Sequence, residues 1–297
     1  MYYDSDLLRI YSRFGSFAKC AKYLGISKET WSQHWYATGL PSPKATRPPC
    51  TDEDLERYTI AIISDLHLGS VYQQPTLLDN FIQECKDRNI DWLVCAGDTI
   101  EGIMTRPGSE EERFLHTTNE FEQYAQHVYP EGFKHSFLLN GNHEWTLNRY
   151  EPWYNFSKEL CYRRHDLTYL SQAGMFLGPG NVLFRVYHRG SMCGKPGQPK
   201  EKRLKQNALQ LIADGPRFDV LLAGHCHRST ILKSWMGKTI ISCGCFQSAT
   251  KYLAEVYGGV DLGGTILSYC VQDGILCNIN VEWISDRQLG GICINDW

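Results

Sequence analysis

The 297-residue sequence has no apolar run long enough to span a bilayer, and no signal-peptide pattern at Met1-Tyr2-Tyr3-Asp4. No membrane partner is expected, and the expected setting is cytoplasmic. It also lacks the cysteine spacing of a small disulfide scaffold. Its twelve cysteines are scattered mostly singly, some inside apolar runs such as Cys95, so reduced thiols are expected. Cys243-Gly244-Cys245 is too tight for a metal clip by itself, and Cys226 reads as structural. There is no internal repeat and no low-complexity tract. The net charge of −3 excludes a wholly basic nucleic-acid coat.

The charge is unevenly placed, however. Residues 1–50 carry seven basic side chains (Arg9, Arg13, Lys19, Lys22, Lys28, Lys44, Arg47) against Asp4, Asp6 and Glu29, a balance of +4 that leaves −7 for residues 51–297. Such asymmetry predicts an anion-seeking arm on an acidic body.

That body is marked by five short apolar runs that each end in metal-binding residue types. Ile62-Ile63-Ser64 leads to Asp65-Leu66-His67, Leu93-Val94-Cys95-Ala96 to Gly97-Asp98, and Phe137-Leu138-Leu139 to Asn140-Gly141-Asn142-His143-Glu144. Val182 to Tyr187 leads to His188, and Val220-Leu221-Leu222-Ala223 to Gly224-His225-Cys226-His227. Runs of this length, rich in branched residues and bounded by turn formers, read as buried strands. In an open α/β sheet, the loops leaving the strands' carboxyl ends line one crevice. Two Asp, one Asn and several His would meet at one rim, as a metal site and more plausibly a two-metal one.

The ordered set D-x-H, G-D, G-N-H-E, a lone His after a strand, and G-H-x-H resembles the calcineurin-like metallophosphoesterase superfamily, from about Tyr58 onwards. The resemblance implies an α/β fold: a two-layer β-sandwich flanked by helices, preceded here by a small N-terminal helical domain. It implies Asp98 as the carboxylate bridging two divalent ions, Asp65, His67 and His227 completing one site, and Asn142, His188 and His225 the other. His143 matches the position that contacts phosphate and protonates the leaving oxygen, a role typically worth ~10²–10⁴ in rate. Glu144 reads either as its orienting partner or as a surface ion pair. His188 departs from many family members, because Arg189 intervenes before Gly190. His34, His116, His127, His135 and His165 read as ordinary histidines. Mn²⁺ is the favoured metal, with Fe, Zn²⁺ or Mg²⁺ compatible with mixed nitrogen and oxygen donors.

Apolar spacing in the arm predicts three short helices: one around Leu7 to Tyr11, one from Phe17 to Leu24, and one from Lys28 to about Ala37 with Ser27 as N-cap. The stretch Phe17 to Trp31 resembles a helix-turn-helix, whose third helix would place Lys28, Glu29, Ser32 and Gln33 outward, with Lys28, Ser32 and Gln33 toward DNA. Trp31 and Trp35 are expected in the core. The expected domains are 1–38 (helical), 39–50 (a linker with four prolines) and 51–297 (the phosphoesterase domain).

Elsewhere, Glu110 to Val128 reads as a helix, Lys158 to Arg164 as part of another, and Thr265 to Trp283 as a hairpin turning at Gln272-Asp273-Gly274 that extends a second sheet. The Gly-, Pro- and Lys-rich stretch after His188 is either a substrate clamp, with Arg189, Lys195, Lys200, Lys202 and Arg203 on a phosphodiester backbone, or a solvated loop leading into a helix. Protein phosphatases of the family carry an Arg in G-D-x-x-D-R-G. Here the segment reads Gly97-Asp98-Thr99-Ile100-Glu101-Gly102, which counts against that branch. With the basic arm, the expectation is a nuclease or DNA-directed phosphodiesterase with DNA as partner. The alternatives are a phosphatase or small-nucleotide phosphodiesterase whose arm binds protein, and a DNA-binding regulator with a silent metal site.

Overall fold

The computed structural model describes residues 4–14, 16–37, 55–171, 174–188, 200–214, 218–272 and 275–290. By its contacts the chain divides into a smaller unit (Met1–Tyr58, Gly178–Val182 and Tyr269–Ile279) and a larger one holding the remainder.

In the N-terminal segment, α1 (Asp4–Phe14), α2 (Phe17–Leu24) and α3 (Lys28–Ala37) pack on a small core of Leu7, Cys20, Ala21, Trp31 and Trp35. Each boundary has a local cause. Ser16 accepts from the Lys19 amide at the start of α2, Gly25 ends it in the left-handed conformation (φ 68°), and Ser27 accepts from the Thr30 amide to open α3. Lys28, Glu29 and Gln33 are exposed and Ser32 half-buried. The proline-rich linker, residues 39–50, lies outside the described residues.

From Glu56 onward the described chain forms two sheets. The first contains β1 (Glu56–Ile63), β2 (Trp92–Cys95), β3 (His135–Leu138), β4 (Leu167–Tyr169), β10 (Gly263–Gln272) and β11 (Ile275–Ser285), in the order β11-β10-β1-β2-β3-β4. The second contains β5 (Met175–Leu177), β6 (Leu183–Tyr187), β7 (Val220–Ala223), β8 (Thr230–Trp235) and β9 (Lys238–Ser242), in the order β5-β6-β7-β9-β8. Strands β1 to β4 run parallel to one another, as do β6, β7 and β9, so their carboxyl ends lie at the same edge of each sheet.

The carboxyl half of β1, nearly all of β2, and β7 are buried on both faces, which is why they read as nearly continuous apolar runs, whereas β3 and β6 alternate between buried and less buried positions. In β1, Ala61 and Ile63 pack against helices while Ile60 and Ile62, on the opposite face by strand alternation, are equally buried. A ladder of flat rings joins the two sheets. Trp92 stacks on Phe137, Phe137 on Phe176 at 4.8 Å, and Phe176 on Phe184 at 4.9 Å. On the outer face of the first sheet lie α4 (Pro75–Asp87), α5 (Thr118–Val128) and α6 (Phe156–Arg163), whose apolar faces join one core with Leu93, Cys95 and Leu138. On the second, Leu204 and Ala208 of α7 (Lys200–Asp214) cover Phe218, Leu221 and Ile240. The architecture is a two-layer sandwich flanked by helices.

Three local expectations are corrected. The helix expected from Glu110 begins only at Thr118, because Thr117 and Glu120 form a reciprocal capping box there. The C-terminal hairpin joins the β1 sheet rather than the second sheet, and its turn residues 273 and 274 lie outside the described residues. The basic stretch after His188 is already helical from Lys200, so Lys200, Lys202 and Arg203 belong to α7, the latter two exposed. Arg189 and Lys195 lie outside the described residues.

Candidate metal centre

The loops that leave β1, β2, β3, β6 and β7 converge, and the backbone between them is tied strand by strand. Beyond the end of the β1–β2 ladder, the amides of Asp65, His67 and Leu68 donate to the carbonyls of Gly97, Asp98 and Thr99 at 2.9–3.1 Å. The amide of Gly224 donates to Tyr187 and that of Phe246 to Asp65. The parallel ladder thus continues into the loops and fixes where each side chain emerges.

Asp65 (φ 53°), His67 (48°), Asp98 (50°), His225 (77°) and His227 (50°) all adopt the left-handed conformation that residues with a Cβ rarely take. Such strain is kept where surrounding structure over-determines it, and it clusters at functional sites. Two glycines permit the close approach: a Cβ on Gly97 would lie 2.5 Å from His188 Nδ1, and one on Gly141 would press on Asp98 Oδ1.

Three groups of donors result among the described residues. The ligand atoms of Asp65, His67 and His227 all lie within 4.8 Å of one another, as do those of Asp98, His188 and His225 and those of His67, Glu101 and His143. The Nε2 atoms of His67 and His227 approach to 3.1 Å, and His188 Nε2 stands 2.8 Å from Asp98 Oδ2. Asp98 Oδ2 is also 4.0 Å from His67 Nε2, which puts this carboxylate between the groups. Its other oxygen accepts from the His143 amide, and Asp65 accepts from the His225 amide.

Burial alone would resist ionising Asp65, but His227 and His188 outweigh it and hold its carboxyl down at about 2. Asp98 is likewise held well below its ordinary range, chiefly by His188 and His143 against burial. His188 is pushed up to about 10, because Asp98 and Asp65 overcome its burial, whereas burial and His188 press His225 down to about 4. The paired carboxylates draw positive charge into a closed space.

Asn142 Oδ1 and His227 Nδ1 are buried without a hydrogen-bond partner, and Asp98 Oδ2 and His188 Nε2, likewise without a hydrogen bond of good geometry, face each other at 2.8 Å. Unsatisfied buried acceptors are costly unless something else meets them. A carboxylate, an amide oxygen and imidazole nitrogens are the donor set that suits divalent cations of the first transition row. The residues therefore fit a metal centre.

Some neighbours were not evident from the motifs. Glu101 is buried, accepts from His67 Nδ1 and Gln247 Nε2 at 3.0 Å each, and its backbone carbonyl accepts from His143 Nδ1 at 2.6 Å. Glu144 is neither a surface ion pair nor the partner of His143. It is buried, and its two oxygens accept from the amides of Ile100 and Gly141, stapling the loops after β2 and β3. Burial and the nearby Asp98 raise Glu144 to about 7. A cavity of about 170 Å³ opens over Asp98, Asn142, His143 and His225, and its far wall holds Met104, Arg106 and Tyr252. Lys202 and Arg203 do not line it.

A family model for calcineurin-like phosphoesterases matches residues 58–229, more than half of the chain. The chain belongs to the calcineurin-like phosphoesterase family. All five strand-end motifs fall within the matched span. Curated relatives from two strains of Halobacterium salinarum (ATCC 29341 / DSM 671 / R1 and ATCC 700922 / JCM 11081 / NRC-1), each described as a DNA polymerase II small subunit, are 24% identical over 249 residues. The match covers 72% of this phosphoesterase chain and 48% of those proteins, so the chain spans about half the length of the curated relatives it matches.

Among solved structures, a conserved uncharacterized protein of Streptococcus pneumoniae TIGR4, titled a predicted phosphoesterase, aligns at 11% identity and TM-score 0.33 over 77% of this chain and 98% of its own. A Vps29 double mutant from Entamoeba histolytica aligns at 14% identity and TM-score 0.35, over 76% and 98%. GAP50 of Plasmodium aligns at 13% and 0.41, over 78% and 85%. Among the described residues, no helix is long and apolar enough to cross a membrane.

Proposed function

We propose that this phosphoesterase is a metal-dependent hydrolase of phosphodiesters, with DNA as its substrate. The observation that carries the reaction class is Asp98, a buried carboxylate set between two donor groups, with Oδ2 2.8 Å from His188 Nε2 and 4.0 Å from His67 Nε2. In this reading Asp98 would help to hold two divalent cations, together with Asp65, His67 and His227 for one and Asn142, His188 and His225 for the other. Such a pair supplies a water acidified enough to attack at neutral pH and a clamp on phosphate oxygens. Mn²⁺ is the favoured occupant.

His143 is the proposed general acid. Its Nδ1 is engaged by the Glu101 carbonyl, which leaves Nε2, 4.0 Å from Asp98 Oδ2, on the side of the cavity. Burial opposes its protonation, but Asp98 and Glu101 raise its affinity for a proton, the direction an acid requires. The Nε2 proton would pass to the leaving alkoxide oxygen as the P–O bond breaks.

Support for DNA as substrate comes from two sides. Residues 1–50 carry a basic surplus, shared between the helices and the linker, with Lys28 and Gln33 exposed at the start and middle of α3. The curated relatives are named as subunits of a DNA polymerase. In this reading the arm is the domain that holds duplex DNA, Lys28, Ser32 and Gln33 face it, and Arg189, Lys195, Lys200, Lys202 and Arg203 add phosphate contacts.

The test is a substrate panel with Mn²⁺, Mg²⁺ and Zn²⁺: bis-p-nitrophenyl phosphate, p-nitrophenyl phosphate, cyclic nucleotides, and labelled single- and double-stranded DNA. Metal-dependent cleavage of DNA supports the reading. Turnover of small nucleotides with DNA left intact would sink the DNA assignment while keeping the reaction class.

A further inference from the structure

One wall of the cavity is built from residues outside the metal motifs. The loop between Gly102 and Phe114 is braced from within: Ser109 Oγ donates to the carbonyls of Met104 and Arg106 at 2.8 and 2.7 Å, and Arg113 donates to those of Met104 and Ser109. Arg149 ties the same loop to the segment after His143 through Thr105 Oγ1 at 2.6 Å. The loop therefore holds Arg106 in one place. Its guanidinium donates to the buried carboxylate of Glu112 and lies over the Tyr252 ring, 5.2 Å from the centroid. Tyr252 stands on α8 (Lys251–Tyr257), whose start is fixed by Thr250 accepting from the Leu253 amide.

The guanidinium and the ring thus lie against each other, each held by its own segment, and line the same cavity as Asp98 and His143. Tyr252 remains 44% exposed, a large aromatic face at the wall of a polar site. Arginine planes and aromatic rings are the two surfaces on which nucleobases stack, and stacking tolerates any base. The charge of Arg106 is already met by Glu112, so a second phosphate is a poorer match to this wall than a neutral flat ring.

We propose that Arg106 and Tyr252 form a base platform, which makes the ester cleaved here one whose phosphate is flanked by a nucleoside rather than a phosphopeptide or a simple alkyl phosphate. This deepens the phosphodiesterase reading and rests on it for the position of the scissile phosphate. Sequence preference is not expected of such a platform; dependence on the presence of a base is.

The test compares dithymidine phosphate with the same compound carrying two abasic sugars, in two ways. Hydrolysis with Mn²⁺ gives KM and kcat. Titration of intrinsic fluorescence with the corresponding methylphosphonates, whose uncharged linkage carries no anion for a metal to grip, gives equilibrium binding independent of turnover. The base-bearing compound is expected to bind about ten-fold more tightly and to show a KM about ten-fold lower, within the range of base–aromatic stacking. Tyr252→Phe retains this preference. Tyr252→Ala and Arg106→Lys, which keeps the charge without the plane, each reduce it by at least three-fold. Equal binding of the two methylphosphonates by the wild-type chain, or a preference that survives in either variant, overturns the inference. Hydrolysis without base preference would spare the functional reading. Base-selective binding without any hydrolysis would defeat that reading and leave the platform standing.

Discussion

The Nδ1 atom of His67 lies 3.0 Å from Oε2 of Glu101, and both side chains are buried. This bond fixes the imidazole tautomer so that Nε2 faces His227, Asp65 and Asp98. A ligating histidine whose outer nitrogen loses its acceptor typically loses 10–100-fold in metal affinity. Glu101→Gln is expected to weaken Mn²⁺ binding by about that factor, as measured by titration calorimetry. Wild-type affinity in the variant would refute the positioning role.

Gly141 allows the loop after β3 to close on Asp98. Adding a methyl there drives a carbon against Asp98 Oδ1 and the Asp98 amide. Overpacking of this kind costs about 1–3 kcal/mol. Gly141→Ala should lower the urea midpoint accordingly and also abolish metal binding, because the carboxylate it displaces is the shared one. Gly237→Ala, where a Cβ meets nothing within 4 Å but a φ of 74° disfavours any side chain, is the control for destabilisation away from the site: it should lower the urea midpoint while metal binding survives.

Arg88, at the end of α4, donates to both oxygens of Glu282 on β11 at 2.6 and 3.1 Å and to Glu84 at 2.7 Å. The bond to Arg88 lowers the Glu282 carboxyl below its ordinary range. Its stabilisation is therefore complete above the unfolded value of about 4.3 and is lost as pH falls through the folded value. All three side chains are more than a third exposed, so solvent screening limits the contribution to under about 1 kcal/mol. Arg88→Met should cost that much at pH 7 and almost nothing at pH 3, by urea denaturation at the two pH values.

Burial pushes the thiols of Cys85 and Cys95 up to about 12, whereas Cys277 is exposed on β11. Alkylation requires the thiolate. At pH 8, iodoacetamide should label Cys277 within minutes and leave Cys85 and Cys95 unmodified until denaturant is added, as read by peptide mass spectrometry. Early labelling of Cys95 would contradict its place in the sheet.

What could be read from the residues alone divides along physical lines. The strands β1, β2 and β7 were legible because both faces are buried where they approach the site, and a doubly buried strand has no polar alternation to disguise it; β3 and β6 alternate in burial and were legible from their apolar and aromatic residues. Asp65, Asp98 and the histidines were legible because each follows such a run directly, so local order places them. Glu101 was in view within Gly97–Gly102 but carried no role, since its bond to His67 depends on register between two loops 34 positions apart. Arg106 and Tyr252 gave no signal. One sits in a loop without periodicity, the other on a seven-residue helix, and only the fold brings them together. The hairpin β10–β11 was recognised from its turn, but a turn does not say which sheet receives the strands. Helix α5 was drawn too long because apolar spacing from Phe114 onward mimics a helix, while the capping box at Thr117 decides the start.

The central claim is that Asp98 makes this site a metal-dependent phosphodiesterase. Its most direct test is hydrolysis of bis-p-nitrophenyl phosphate by the purified chain with and without Mn²⁺, for the wild type and for Asp98→Asn, which keeps size and removes charge. The account predicts turnover that requires the metal and that falls by about 10²-fold or more in the variant, the scale of losing one preorganised electrostatic contact at the reacting centre. Metal-dependent turnover undiminished in Asp98→Asn, or no turnover by the metal-loaded wild type, would contradict it.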